Sequence, residues 1–434
     1  GGRARSRQGQ LPPLPEAAWS EEGRAQVKAE TAAGEHLNIL DLGTSRIRLL
    51  QALEQNGLLR YAGHVEVASQ GMRKGAVVSL ADAAAAIRAA AAEVEARTGL
   101  PVERVFLSLS GAHARGISSQ AGIALTSRSR EVTHDDARRV LDLARGFALP
   151  PDRQIIHVIP QEFVLDRQGG IHEPVGMLAT RLEAKIYAIT VAAAAKDNLV
   201  LAANHAGLEV IELVFAPLAC AEACLAAEDR YAGVALVDMG AGSTGVAVYR
   251  DGSLAHAAVI PIGGDHFTND IAIGLNTPAS EAELIKHGYG NAEASAGAAT
   301  SAIEVPSHHG DHGPTPSRLV PLRRLGEWIE PRARELVQWI QTEVAKGGGL
   351  GAGIVLAGGA WRLQGLSEMV ASSTALRVRI AVPELLQDMP AALSEPEYAF
   401  AVGACYYAHR IIARQQRPSG LWDKLRARWA ALAD

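Results

Sequence analysis

The chain has 434 residues, 48% of them hydrophobic and 21% charged, with a formal net charge of −5. That length and balance suit a soluble chain of two or more domains with sizeable cores, and they leave no electrostatic footprint for nucleic acid. Only three cysteines, Cys220, Cys224 and Cys405, argue against a disulfide framework and for a reducing cytosol, and no window approaches a transmembrane span or a hydrophobic signal core.

Residues 1–36 carry Arg3, Arg5, Arg7 and the prolines of Leu11-Pro12-Pro13-Leu14-Pro15 without apolar periodicity, so a disordered tail is expected. The first patterned stretch is Leu37 to Leu50: an apolar run delivers Asp41 to Gly43-Thr44-Ser45, and a second run leaves from Arg46. It reads as a β-hairpin with a small tip that lets backbone N–H groups approach an anion. Gly71-Met72-Arg73-Lys74-Gly75 is a loop before an alanine-rich helix, Leu80 to Arg97, whose small-residue face should pack closely. A strand follows at Val105–Leu109.

Next comes an α+β block, about Ser110 to Ile189. It holds strand-like Gly116–Leu125, a helix announced by Thr133 with Asp135 and Asp136, and strands near Ile155–Ile159 and Glu162–Leu165. Cys220 and Cys224 sit four apart on a predicted helix and read as small core residues rather than a metal pair. Gly233 to Tyr249 then repeats the first hairpin: strand, Asp238, Gly240-Ala241-Gly242-Ser243-Thr244, strand. A third glycine site, Gly353 to Ala360, follows a buried-type strand and precedes helical sequence, Trp361 to Val370.

Between these, Asn291 to Arg318 reads as a flexible linker. Its His308, His309, His312 and Asp311 favour a mobile surface loop over a metal site. The helix from Arg323 to about Lys346 places Trp328, Ile329, Leu336, Trp339 and Ile340 at core spacing.

The chain ends with Leu421 to Leu432. At about 100° per residue, Leu421, Trp422, Leu425, Trp429 and Leu432 share one arc of about 100°, with Lys424 and Arg428 on one flank and Arg426 on the other. Trp and Leu on one face with a basic rim suit a helix lying in a membrane interface. Burial of five such side chains at ~1.5–3 kcal/mol each, less ordering costs, gives weak binding for one copy and stable residence only for several on one polymer. The short linker before it reaches only ~20–25 Å at ~3.3 Å per residue, so the folded body must lie close to the bilayer.

Two Asp-Gly-hydroxyl hairpins and a late strand-Gly-Gly-Ala turn, in this order, resemble the actin-like ATPase superfamily. The inserted block narrows the resemblance to the FtsA family of bacterial division proteins. So do Gly71–Gly75, His157-Val158-Ile159-Pro160-Gln161-Glu162-Phe163, Pro174–Met177, Val259–Gly264, Ala282-Glu283 with Lys286, and Ile329-Glu330-Pro331-Arg332. The likeness covers about Leu37 to Asp434. It implies an α/β actin-like fold: a first lobe of residues 37–109 and 190–230 with part of 371–412, and a 1C-type inserted subdomain at 110–189. The second lobe is then 231–370, with a smaller subdomain at about 265–330 that contains the flexible loop 291–318. Residues 413–420 are expected as linker and 421–434 as a membrane-targeting helix.

The resemblance also implies ATP and Mg²⁺. Asp41 and Asp238 would coordinate Mg²⁺ through water, and Gly43, Thr44 and Ser45 would face the phosphates from one side. Gly240, Ala241, Gly242, Ser243 and Thr244 would face them from the other. Arg46, where the family often has Lys, would meet phosphate oxygens, Glu283 and Lys286 would reach ribose and adenine, and Gly358, Gly359 and Ala360 would pack on adenosine. Implied partners are the FtsZ C-terminal tail on the smaller subdomain, further copies of the chain in a polymer, other divisome proteins through the inserted subdomain, and the inner membrane surface. The implied place is the cytoplasmic face of that membrane at the division septum.

Three departures bear on activity: Ala241 replaces the usual glycine, Gly245 the usual acid, and Ala216 stands where actin-like relatives carry a Glu that orients water. Because positioning is most of phosphoryl-transfer catalysis, slow or absent ATP hydrolysis is expected. The alternatives weighed are a PilM-like actin-fold protein of pilus assembly and a small-molecule kinase of the same superfamily.

Overall fold

The computed structural model describes residues 36–55, 57–125, 129–296, 302–306 and 317–415. The tail, the histidine-bearing loop 307–312 and the terminal segment 421–434 lie outside these residues.

Strands β1 (His36–Leu42), β2 (Arg46–Gln55) and β3 (Leu58–Ala68) form an antiparallel meander, and β4 (Arg104–Leu109) joins β1 in parallel after helix α1 (Leu80–Thr98). Helix α1 starts on the Ser79 side chain and stops at Gly99 in the left-handed region, and it buries Ala83, Ala84, Ile87, Ala90, Ala91 and Val94. These are the small residues expected to let it approach closely.

The inserted block is a separate antiparallel sheet: β5 (Arg115–Ala124), β6 (Arg153–Leu165), β7 (Gln168–Ile171) and β8 (Arg181–Ala192), in the order β7-β6-β8-β5. Helix α2 (His134–Arg145) packs on it, started by the reciprocal Thr133–Asp136 capping box. The two strands expected around Ile155–Ile159 and Glu162–Leu165 are one strand, β6. Its pairing with β8 shifts register between Lys185 and Ile186, opposite Glu162 and Pro160. The extra residue of this bulge is Gln161, beside Pro160, which reads as a break in sequence.

Chain β8 leads into α3 (Ala193–His205), and β9 (Glu209–Phe215) returns to the first sheet, giving the order β9-β4-β1-β2-β3. Helices α4 (Ala216–Cys224) and α5 (Ala227–Ala232) then cross to the second sheet.

That sheet repeats the first. Strands β10 (Val234–Met239), β11 (Thr244–Arg250) and β12 (Ser253–Ile260) form the meander. Helices α6 (Gly264–Leu275) and α7 (Ala279–Tyr289) follow, then strands β13 (Ala302–Pro306) and β14 (Ser317–Pro321) and the long helix α8 (Leu322–Ala345). Strand β15 (Gly353–Gly358) lies parallel to β10, and after α9 (Leu366–Thr374) β16 (Val378–Ile380) lies parallel to β15. The order β12-β11-β10-β15-β16 thus matches β3-β2-β1-β4-β9 strand for strand. The first core gathers Ile39, Leu40, Phe106 and Phe215, the second Val237, Phe267, Ile329 and Leu356. Helix α10 (Ala399–Gln415), the last described element, packs against α4. Gly403 sits so near the Ala219 backbone that no Cβ would fit.

Three expectations need correction. Within the stretch expected to be linker, β13 and β14 pair from Ala302↔Pro321 to Pro306↔Ser317 and bury Ile303 and Val305. The four-residue alternation Ala-Ile-Glu-Val is too short to stand out among alanines and glycines. Trp339, expected in the core, is 45% exposed, while Ile329, Leu336 and Ile340 on the same helix are buried. Residues 413–415, expected as linker, continue α10. The three cysteines are free and buried, as small core residues should be.

Candidate nucleotide cleft

The two hairpin tips face one another because each sheet ends its first strand in an acid and a glycine at the same edge. They bound a cleft of about 470 Å³. Asp41, Gly43, Thr44, Ser45 and Arg46 line it from the first hairpin, and Asp238, Gly240, Ala241, Gly242 and Ser243 from the second. Glu283 and Lys286 enter from α7, and Gly358, Gly359 and Ala360 from the turn after β15. All the sequence-expected positions but Thr244 therefore come together. Thr244 is fully buried, and its hydroxyl donates to the Ile262 carbonyl at 2.8 Å, away from the cleft.

The backbone groups divide by role. Gly43 N–H donates to Arg46 O (3.1 Å) and Gly240 N–H to Ser243 O (3.0 Å). Both glycine amides, expected to face phosphate, instead close their own turns. Gly264 and Asp265, the first residues of α6, donate to the carbonyls of Gly240 (3.0 Å) and Ala241 (2.9 Å). In a trans planar peptide the next N–H points the opposite way, so the amides of Ala241 and Gly242 are turned from α6. The hydroxyls are committed too: Ser243 donates to Ser110 O across the cleft (2.7 Å), and Thr44 accepts from Gly75 N–H (3.1 Å).

The cleft floor is acidic. Burial and the charge of Asp41 push the Asp238 carboxyl up to about 7, against the pull of Arg48. Burial also raises Asp41, opposed by Arg48 and by a hydrogen bond with Ser108. Gly358, at φ 78°, leaves no room for a Cβ beside Asp238. Two partly buried carboxylates, Asp238 raised by the charge of Asp41 and Asp41 by that of Glu66, fit a cation beside them. Among the described residues no group of three or more His, Cys, Asp or Glu is placed to hold a metal by itself. That donor set suits a hydrated Mg²⁺ shared with phosphate rather than an all-protein cage.

At the far end Lys286 Nζ donates to Glu283 (2.6 Å) and Thr268 (2.8 Å). Burial alone would raise Glu283, but hydrogen bonds from Lys286 and Thr268 bring it below its ordinary value. Arg46 lies 3.6 Å from Glu66, with its side chain 54% exposed.

Sequence reasoning missed Arg48 and Glu66, which line the same cleft, and Pro396 and Glu397 in the turn before α10 and Phe400 within it, which also line the cleft. Counting back from the tip of the first hairpin would have placed Arg48 opposite Asp41. Pro396, Glu397 and Phe400 carry no local signal.

The departures at positions 216 and 245 have structural settings. Ala216 lines the cleft and offers no polar side-chain atom. Gly245 packs against Pro217 so tightly that any Cβ would enter the proline ring, which leaves no space for an acid.

Residues 235–403 match the family described as "Cell division protein FtsA", and residues 111–190 match "SHS2 domain inserted in FTSA". The FtsA of Pseudomonas aeruginosa is 36% identical over 383 residues, covering 87% of this chain and 90% of that protein. That of Escherichia coli K12 is 34% identical over 380 residues, covering 85% and 89%. Among solved structures, the PilM-PilN type IV pilus biogenesis complex aligns with a TM-score of 0.61 at 18% identity, covering 88% of this chain and 99% of that one. MreB5 of Spiroplasma citri bound to ADP aligns with a TM-score of 0.51 at 11% identity, covering 88% and 99%. The structural likenesses show an actin-like fold.

Proposed function

The chain belongs to the FtsA family of cell division proteins, and we propose that it is an ATP-binding, polymer-forming adaptor that ties the FtsZ ring to the cytoplasmic face of the membrane. The observation that carries the nucleotide reading is the convergence of both Asp-Gly hairpins and the Gly358–Ala360 turn on one cleft. The remaining tip amides, those of Thr44, Ser45, Ala241 and Gly242, would hold the phosphates, and Lys286 and Glu283 would meet the sugar and base. Asp41 and Asp238 would hold a hydrated Mg²⁺, which when bound neutralises phosphate charge. Hydrolysis is slow or absent in this reading, because position 216 has nothing to orient water. Two other cleft carboxylates, Glu66 and Glu283, are already engaged by Arg48 and Lys286.

For the FtsZ tail, a groove of about 420 Å³ between α6 and α8 supports a peptide site. Asp270, Ile273, Trp328, Pro331 and Arg332 line it, and the Trp328 ring packs against Gly274. It offers an apolar floor, an exposed Ile273 and a guanidinium at the rim. No described helix is long and apolar enough to cross a membrane. Membrane attachment is assigned to the amphipathic stretch Leu421–Leu432.

The deciding experiment is flotation with anionic liposomes, comparing the full chain with one ending at Ser419, each with and without Mg-ATP. Flotation of the full chain alone, strengthened by ATP, supports a polymer-borne tether. If neither floats, the terminal segment docks on the body and the tether reading fails.

A further inference from the structure

Strand register builds a charged row across the first sheet. Asp41 on β1 pairs directly with Arg48 on β2, and Arg48 pairs directly with Glu66 on β3. Direct partners on neighbouring strands stand on one face with Cβ atoms about 4.5–5.5 Å apart, so the row reads minus, plus, minus. All three side chains line the nucleotide cleft. Arg48 Nη1 is 3.7 Å from Asp41 Oδ2, and Arg48 Nε donates to Glu66 Oε2 at 2.7 Å. The Arg48 side chain is only 16% exposed, and its guanidinium carbon stands 5.2 Å from the Tyr398 ring centroid. Glu66 and Tyr398 thus hold a cation in place beside one of the two acids.

We propose that Arg48 is a resident counter-cation of the cleft. It supplies part of the positive charge that a divalent metal would otherwise bring next to Asp41, and it makes nucleotide binding only weakly dependent on Mg²⁺. The inference rests on the nucleotide reading above. A guanidinium already fixed by Glu66 loses little further rotamer freedom when it contacts phosphate, and its planar fork suits phosphate oxygens. A metal arriving at Asp41 has to share that carboxylate with Arg48, so its added stabilisation is smaller.

The test is calorimetric titration of the full chain with ATP, once with Mg²⁺ and once with EDTA. For the parent, the two affinities are expected to agree within about tenfold, against the larger loss of a site that relies on the metal for charge. Arg48→Gln should lose at least about tenfold more affinity in EDTA than in Mg²⁺, the size of one charge-assisted contact, while Arg48→Lys keeps most of it. A parent affinity that falls about a hundredfold or more in EDTA overturns the proposal without reference to any variant. Equal losses for Arg48→Gln in both media overturn it as well. If the parent binds no ATP in either medium, the nucleotide reading itself fails, and this inference with it.

Discussion

Gly242 at the tip of the second hairpin packs against Thr44 at the tip of the first, so the two halves of the molecule touch where a nucleotide's phosphates would lie. A Cβ at 242 would stand inside contact distance of Thr44 Oγ1 and 2.7 Å from Lys74 Cα. The approach is possible only without a side chain. Gly242→Ala should force the tips apart at a cost of ~1–3 kcal/mol, the usual range for overpacking. Its ATP affinity should fall by about tenfold or more. Gly349→Ala, with nothing within 4 Å of its added methyl, is the matched control. Equal affinities for the two variants would remove the tip contact from the binding site.

Turnover follows from what position 216 lacks. Phosphate release at saturating Mg-ATP should stay below about 1 s⁻¹, the lower edge of ordinary kcat values. A faster enzyme would mean that another cleft carboxylate, Glu66 foremost, leaves its ion pair to orient water.

A buried polar chain gives a pH signature. Phe215 N–H donates to His157 Nε2 (3.0 Å), which leaves the proton on Nδ1, facing the Tyr407 oxygen (3.2 Å). Tyr407 O–H in turn donates to Glu212 Oε1 (2.9 Å). Burial pushes Glu212 up to about 8 from 4.5, and burial holds His157 down to about 4 from 6.5. The folded Glu212 therefore keeps its proton after the unfolded chain has lost it. Its contribution to stability is full below pH 4.5 and is lost as pH rises through about 8. The His157 contribution runs the other way, full above 6.5 and lost as pH falls through about 4. Glu212→Gln cannot ionise and leaves His157 in place. Its melting temperature should gain on the parent's as pH rises from 4.5 to 8. The matching gain in unfolding free energy should be at most about 1.4 kcal/mol per pH unit. A constant difference across that range would show that Glu212 is ionised in the fold.

The groove between α6 and α8 makes a charge prediction. Arg332 bridges Asp270 (2.9 Å) and Glu335 (2.5 Å) at its rim. Arg332→Glu should weaken binding of an FtsZ C-terminal peptide by about tenfold or more, since it reverses a rim charge and leaves three acids together. Fluorescence anisotropy with a labelled peptide reads this directly. Unchanged binding would move the partner site off this groove.

Much of the architecture was legible because its signals are local. A strand, an acid, a glycine and two hydroxyls followed by a second apolar run read as a hairpin from one short stretch, and Thr133 with Asp136 starts a helix from four residues alone. The repeat of the hairpin at Asp238 and the late Gly358–Ala360 turn carry the family likeness for the same reason. Which hydrogen bonds those residues make was not legible. Ser243, in the turn, reaches Ser110, 133 positions earlier, and Thr244, the first residue of β11, turns its hydroxyl to Ile262, because only packing decides which side of the strand faces the cleft. Trp339 left the core because its helix buries only one stripe.

By itself the sequence determined the two hairpins, the inserted block between them and the glycines that let backbone come close, since each is written in a short run of residues. Only the tertiary structure decided that Glu66 and Tyr398 come beside Arg48, and that Ser243 closes on Ser110 across the cleft. Those relations depend on strand register and on contacts between distant segments, where the energy lies in geometry that no short run encodes.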